Sequence, residues 1–231
     1  MSIKEFKHNF CESRIYPYKQ IDLLNEYEVK LPETINMYSS FFIFFLPIVY
    51  GFPQNYALRR VIFLMMLNGF ASAYYHYHLN WLGKQIDELT MIFPLYIGIV
   101  ELLFRLKKDK LITPKLFLLD IYFIILLTTN SFPNLDWLFP ITFLLPIIYV
   151  SFLIKLFSKK YKMGLKSFKY IFFGGLSWGI SEVFCNKYTY IGHALWHIFF
   201  PLGFIQIIHK MDRILYKSYT KKNLSRTLLK I

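Results

Sequence analysis

Residues 61–81 read VIFLMMLNGFASAYYHYHLNW, Val61 to Trp81, and contain no Asp, Glu, Lys or Arg. A helix of this length is about 30 Å long, which matches the hydrocarbon thickness of a bilayer. The run is continuously apolar rather than alternating, so it does not read as a strand of a membrane barrel. Six other runs share its character: Ile35–Phe52, Ile86–Leu106, Lys115–Phe132, Trp137–Phe157, Phe168–Cys185 and Tyr190–Ile208. The expected fold is an all-α integral membrane protein, a bundle of seven transmembrane helices. Residues 1–34 form an N-terminal tail, 35–208 the membrane domain and 209–231 a basic C-terminal tail.

Composition points the same way. Of the 231 residues, 55% are hydrophobic, 20% aromatic and only 18% charged, where a soluble domain carries roughly 25% charged residues. The net charge of +13 could suggest nucleic acid, but position argues against it, because the cations sit between apolar runs and in the tail. Arg59, Arg60, Arg105, Lys107, Lys108, Lys110, Lys115, Lys159, Lys160, Lys162 and Lys166 fall in alternate connections, on the side of the tail cations Lys210, Arg213, Lys217, Lys221, Lys222, Arg226 and Lys230. The opposite connections hold only Lys84 and Lys187, and the one at Asp136 holds none. The N-terminal tail dissents, with Lys4, Lys7, Arg14, Lys19 and Lys30. By the positive-inside rule the C-terminus is cytosolic and the N-terminus luminal or extracellular. The membrane is that of the endoplasmic reticulum or Golgi in a eukaryote, or the inner membrane in a bacterium.

The first residues, MSIKEFKHNFCESR, lack the apolar stretch of a signal peptide, so the tail is expected to remain on the mature chain. The two cysteines, Cys11 and Cys185, exclude a disulfide-rich scaffold and a cysteine-based zinc finger. Both fall on the N-terminal side. That side is oxidising in the secretory pathway or periplasm, which leaves open a bridge or two separate thiols.

Ionisable groups inside apolar runs are costly and usually functional. Four of the six histidines, His76, His78, His193 and His197, lie in or at spans. Ser72 and His76 are four residues apart, as are His193 and His197, so each pair shares a helix face about 6 Å apart in height. His78 is two positions from His76 and faces away. The second span runs outward, the third starts outside near Asp87, and the seventh starts outside near His193. Three histidines, a serine and an aspartate therefore converge at one membrane depth. Three imidazoles with a carboxylate nearby suit Zn²⁺, and three protein ligands leave a coordination position open for chemistry. Alternatively, each histidine simply bonds a neighbouring helix.

These residues resemble the alkaline ceramidase family. The resemblance rests on Ser72-xxx-His76, on Asp87-Glu88-Leu89 eleven positions after the histidine, and on Gly192-His193-Ala194-Leu195-Trp196-His197. It extends to Asn9-Phe10-Cys11-Glu12, to Glu33-xx-Asn36-xx-Ser39, and to the Trp178-to-Cys185 spacing. The wider superfamily of seven-helix proteins includes the progestin and adipoQ receptors. The resemblance implies that His76, His193 and His197 ligate zinc, that Ser72 and Asp87 hold the attacking water, and that the substrate is ceramide, cut to a sphingoid base and a fatty acid. In animal members it also implies Ca²⁺ bound by acidic residues near the N-terminus. This chain departs there, with Asn9 for an Asp, Arg14 for a polar ligand, and about ten extra residues before Glu33; the departures weaken the calcium reading. Ser181, with Glu182 beside it, also replaces the family's Asp after Trp178. A seven-helix receptor with structural zinc, a metal transporter, and a hydrolase of another lipid amide or ester are the competing readings. The histidines cluster near one face with no matching polar path through the cytosolic half, which argues against the transporter.

Overall fold

The run around Val61 forms one helix, α3 (Tyr56–His78), and two local devices set its ends. Asn55 caps the start, its side chain accepting from the Leu58 amide at 3.0 Å. Leu79 ends it in the left-handed conformation, φ 48°, and the Asn80 side chain accepts from the Gly83 amide at 2.7 Å, opening the next helix. The α4 helix (Trp81–Leu106) therefore begins five residues before the expected Ile86, and Lys84 lies on helix rather than in a connection. The computed structural model describes residues 10–15, 19–21, 28–30, 33–106, 112–132, 135 and 138–228. Asn9, Lys4, Lys7, Lys107, Lys108, Lys110, Asp136, Trp137 and Lys230 lie outside them.

Seven long helices stand among the described residues: α2 (Thr34–Tyr50), α3, α4, α5 (Ile112–Ser131), α6 (Phe139–Tyr161), α7 (Phe168–Val183) and α8 (Gly192–Leu228). Before them come a short helix α1 (Cys11–Ile15) and two short strands, β1 (Lys19–Ile21) and β2 (Glu28–Lys30), paired antiparallel with Lys19 opposite Lys30. Among the described residues the hairpin is the one departure from an all-helical chain. The α8 helix carries on past the expected end near Ile208 into the basic tail. No Gly or Pro occurs from His209 to Leu228, and an unbroken run of tolerable helix formers has nothing to stop it.

Neighbouring helices pack in the pairs α2·α3, α3·α4, α4·α5, α4·α6, α5·α6, α2·α8, α3·α8 and α7·α8. The half of the bundle nearest the α3 N-terminus is an apolar core built on Leu58, Ile62, Ile99, Phe157 and Ile205. The outward faces are also apolar: Val49, Phe117, Ile148, Phe152 and Phe172 are each more than half exposed. Trp81–Leu106 and the Ile141–Tyr161 part of α6 are long and apolar enough to cross a membrane on length and composition. The polar cluster described below dilutes α3 and α8.

Helices approach most closely where side chains vanish. A Cβ added to Gly69 on α3 would stand 2.4 Å from the Phe44 backbone nitrogen on α2, while one on Gly98 would meet nothing within 4 Å. Small residues at such crossings let backbones meet. Gly69→Ala must therefore push α2 from α3, costing about 1–3 kcal/mol or more. We expect a clearly lowered melting temperature in detergent for Gly69→Ala. Gly98→Ala should leave it unchanged or raise it slightly, both read by thermal unfolding of the purified protein.

Candidate functional site

At one end of the bundle α3 finishes, α4 and α8 begin, and α2 enters. Ser72 and His76 occupy the last two turns of α3, Asp87 the second turn of α4, and His193 and His197 the first turns of α8. All five are buried. Gly192 brings the start of α8 against α7: a Cβ there would fall 2.2 Å from the Ser177 carbonyl oxygen. That contact seats His193 at the bundle axis.

The three imidazoles face one another. Ring centroids are 5.0 Å apart for His76–His193, 5.2 Å for His76–His197 and 4.8 Å for His193–His197. One nitrogen from each lies within 4.8 Å of the other two, an arrangement that could hold a metal ion. The outer nitrogens of His76 and His197 meet hydrogen-bond partners, and that of His193 makes no hydrogen bond but faces a carboxylate. His76 Nδ1 donates to Glu33 Oε2 at 2.7 Å, His197 Nδ1 lies 2.9 Å from Ser39 Oγ and 3.3 Å from Ser40 Oγ, and His193 Nδ1 lies 3.5 Å from Glu182 Oε1. Ser39 and Ser40 in turn donate to the Asn36 carbonyl. An imidazole that gives its Nδ1 proton outward keeps a lone pair on Nε2, the form a metal binds. Burial pushes the Glu33 carboxyl up, but the hydrogen bond and charge of His76 outweigh it and hold it at about 2, so Glu33 stays ionised at physiological pH.

Beside the histidines, Ser40 Oγ and Ser72 Oγ lie 3.1 Å apart, and Ser72 is within hydrogen-bonding reach of Asp87. Asn68 Nδ2 holds Asp87 by its side chain at 2.9 Å and its backbone carbonyl at 3.1 Å. Asn68, Ser72, Asp87, His193 and His197 line a cavity of about 190 Å³ together with the buried ion pair Lys84–Glu88 and with apolar side chains, among them Met91, Phe143, Ile147 and Trp196. A second cavity of about 80 Å³ shares those four residues and continues down the bundle to Pro201 and Phe204. His78 is exposed and stacks on Tyr74, ring centroids 4.4 Å apart, away from the cluster as its spacing predicts.

The N-terminal segment closes this end. Phe10 packs edge-on against His193 at 4.3 Å. Cys11 is bonded to Cys185, with Cα atoms 5.3 Å apart. Glu12 caps α2 from outside, Oε1 accepting from the Ile35 amide at 2.8 Å and Oε2 from the Asn36 amide at 2.9 Å, a carboxylate at the positive end of a helix. Arg14 pairs with Glu182 at 2.8 Å. Calcium needs six to eight free oxygens, but both oxygens of Glu12 serve α2, those of Glu33 serve Ser13 and His76, and a guanidinium occupies the neighbourhood. The residues present do not fit a calcium ion.

All five sequence-selected residues come together. Asn68, Glu182 and the role of Glu33 toward His76 were not singled out. Asn68 was findable, since Asn68, Ser72 and His76 form a stripe of period four. The partnership of Glu182 with His193 was not, because it joins different helices.

A sequence model of a family described as Ceramidase matches residues 7–228 of this chain. The chain is also similar to the curated alkaline ceramidase of Drosophila melanogaster, 24% identical over 193 residues, covering 73% of this chain and 66% of that relative's length.

The cysteines give a direct check on this end of the bundle. Unreduced, denatured protein should show no labelling by a thiol reagent, and reduction should release both Cys11 and Cys185.

Proposed function

The chain belongs to the Ceramidase family, and from that premise we propose that it is a zinc-dependent membrane amidohydrolase that cleaves ceramide to a sphingoid base and a free fatty acid. The observation that carries the reading is the ring of three buried imidazoles, each with its outer nitrogen turned toward an acceptor, set beside Ser72 and Asp87 at the mouth of an apolar cavity. Such a donor set suits zinc, and outer hydrogen bonds of this kind orient ligands for it. Bound there, zinc would lower the pKa of a water to about 7 and polarise an amide carbonyl.

The protein's own residues do the rest. Asp87, clamped by Asn68, accepts the proton of the attacking water and returns it to the amide nitrogen as the C–N bond breaks. The products are a carboxylic acid and an amine, which part as carboxylate and ammonium once the acid's proton passes to the amine. Ser72 donates a hydrogen bond to the oxygen that gains negative charge at the carbonyl carbon. The cavity below excludes water, and its continuation toward Phe204 suits an acyl chain.

Membrane embedding agrees with this substrate. We assign α2–α8 as seven spans, with residues 1–34 luminal or extracellular, 35–208 in the membrane and 209–231 cytosolic. The apolar outer faces support the spans. The cations at the far end of the bundle, Arg59, Arg60, Arg105, Lys159 and Lys160, support the orientation. A receptor with structural zinc would not need a carboxylate and hydroxyl beside the metal over an open cavity, which favours the hydrolase.

Zinc content and ceramide turnover, measured on the same preparations, test the roles. His193→Ala or His197→Ala should lose stoichiometric zinc. Asp87→Asn should keep zinc and lose on the order of 10²–10⁴ in rate, and Ser72→Ala should keep zinc and lose less. His78→Ala should behave as wild type. Near-wild-type turnover in Asp87→Asn would refute the mechanism, and a zinc-loaded wild type inert on every lipid amide would favour the receptor.

A further inference from the structure

Glu182 sits on the last turn of α7 with its side chain only 16% exposed, and among the described residues its polar side-chain contacts lead to the N-terminal segment and to a histidine. Arg14 Nη2 donates to its Oε2 at 2.8 Å and to its backbone carbonyl at 2.8 Å. The Cys11 amide donates to the same Oε2 at 3.1 Å. The other oxygen, Oε1, stands 3.5 Å from His193 Nδ1, a buried nitrogen that makes no shorter hydrogen bond. The Cys11–Cys185 bond ties the same turn of α1 to the chain just beyond α7. We propose that Glu182 is the positioning residue of His193, and that Arg14, held in register by the disulfide, keeps the Glu182 carboxylate facing it.

The physical case rests on the comparison among the three histidines. His76 has Glu33 for its outer nitrogen and His197 has Ser39 and Ser40. For His193 the acceptor nearest at hand is Glu182, which closes the remaining gap once the Nδ1 proton is directed outward and Nε2 is committed to an ion. A carboxylate at a helix end could swing toward solvent. Two donors on Oε2 and a third bond to its own carbonyl prevent this, and a planar guanidinium suits such a fork better than an ammonium does. Arg14 is half exposed, with a side-chain value of 39%, so its pairing with Glu182 alone would contribute little to stability. Its placement makes sense as orientation. The segment that replaces a calcium-binding pattern thus carries its own cation, covalently attached, one residue removed from a metal ligand.

The inference depends on the zinc reading of His193, and the experiment separates the two. Zinc affinity is measured by chelator competition on the full chain in detergent for wild type, Glu182→Gln, Arg14→Gln and Arg14→Lys. Disulfide content and the melting temperature of each zinc-free protein are recorded alongside. Outer partners of metal-bound histidine typically contribute 10–100-fold in affinity. We expect a loss of that order in Glu182→Gln and a smaller one in Arg14→Gln. Arg14→Lys should recover part of it, zinc-free melting temperatures should stay close to wild type, and the visible bands of the cobalt-substituted protein should shift. Should Glu182→Gln fail to fold, Arg14→Gln, on a half-exposed side chain, reads the same coupling. Zinc in the wild type with affinity unchanged within twofold in the variants overturns the positioning role. So does a loss matched by an equal fall in zinc-free stability, which would make the pair a structural pin. A wild type that binds no zinc overturns the metal site itself, and this inference with it.

Discussion

A buried imidazole has two nitrogens and must satisfy both, since an unpaired polar group in apolar surroundings costs several kcal/mol. Three of them stand together at one end of this bundle. Each can offer only one nitrogen to a shared ion, so each needs an acceptor for the other. That requirement organises everything nearby. It draws Glu33 to the end of α3, brings Ser39 and Ser40 of α2 against His197, and sets Glu182 of α7 behind His193. Four helices and the connection before α2 are thereby committed to one point, and their crossings follow from it.

The backbone makes the same accommodation. The Glu33 amide donates to the carbonyl of His76 at 2.9 Å, so the start of α2 is tied to the residue whose side chain it also serves. The first free amides of α2 are taken by Glu12 rather than by a residue of its own cap. The N-terminal segment is therefore part of the site's wall. Phe10 shields His193, the Cys11–Cys185 bond joins it to the end of α7, and Arg14 completes the contact. The carboxylates of Glu12 and Glu33 are taken up here by internal partners.

The two ends of the bundle carry different polar clusters. Below the site the cavity runs past Asn68 and Thr90, between Met91, Phe143, Ile147 and Trp196, into mostly apolar surroundings. At the opposite end Asp212 of α8 accepts from the Gln54 and Asn55 amides at 2.9 and 2.7 Å, fixing the connection between α2 and α3. The molecule thus has a buried histidine cluster at one end and a connection pinned by Asp212 at the other.

Hydrophobic run length is a local property, and so is four-residue spacing. The sequence alone therefore determined the seven helices, the shared face of Ser72 with His76, the shared face of His193 with His197, and the outward turn of His78. It misjudged where α4 begins, because a left-handed Leu79 and an Asn80 cap leave little trace in hydropathy, and it did not foresee that α8 continues beyond Ile208. Tertiary structure alone decided which acceptor each histidine meets. Glu33 and His76 are 43 positions apart and bonded; Arg14 and Glu182 are 168 apart. Such pairs depend on how helices cross and on the glycines, Gly69 and Gly192, that let them come close. No pattern along a single helix records what stands across the gap from it.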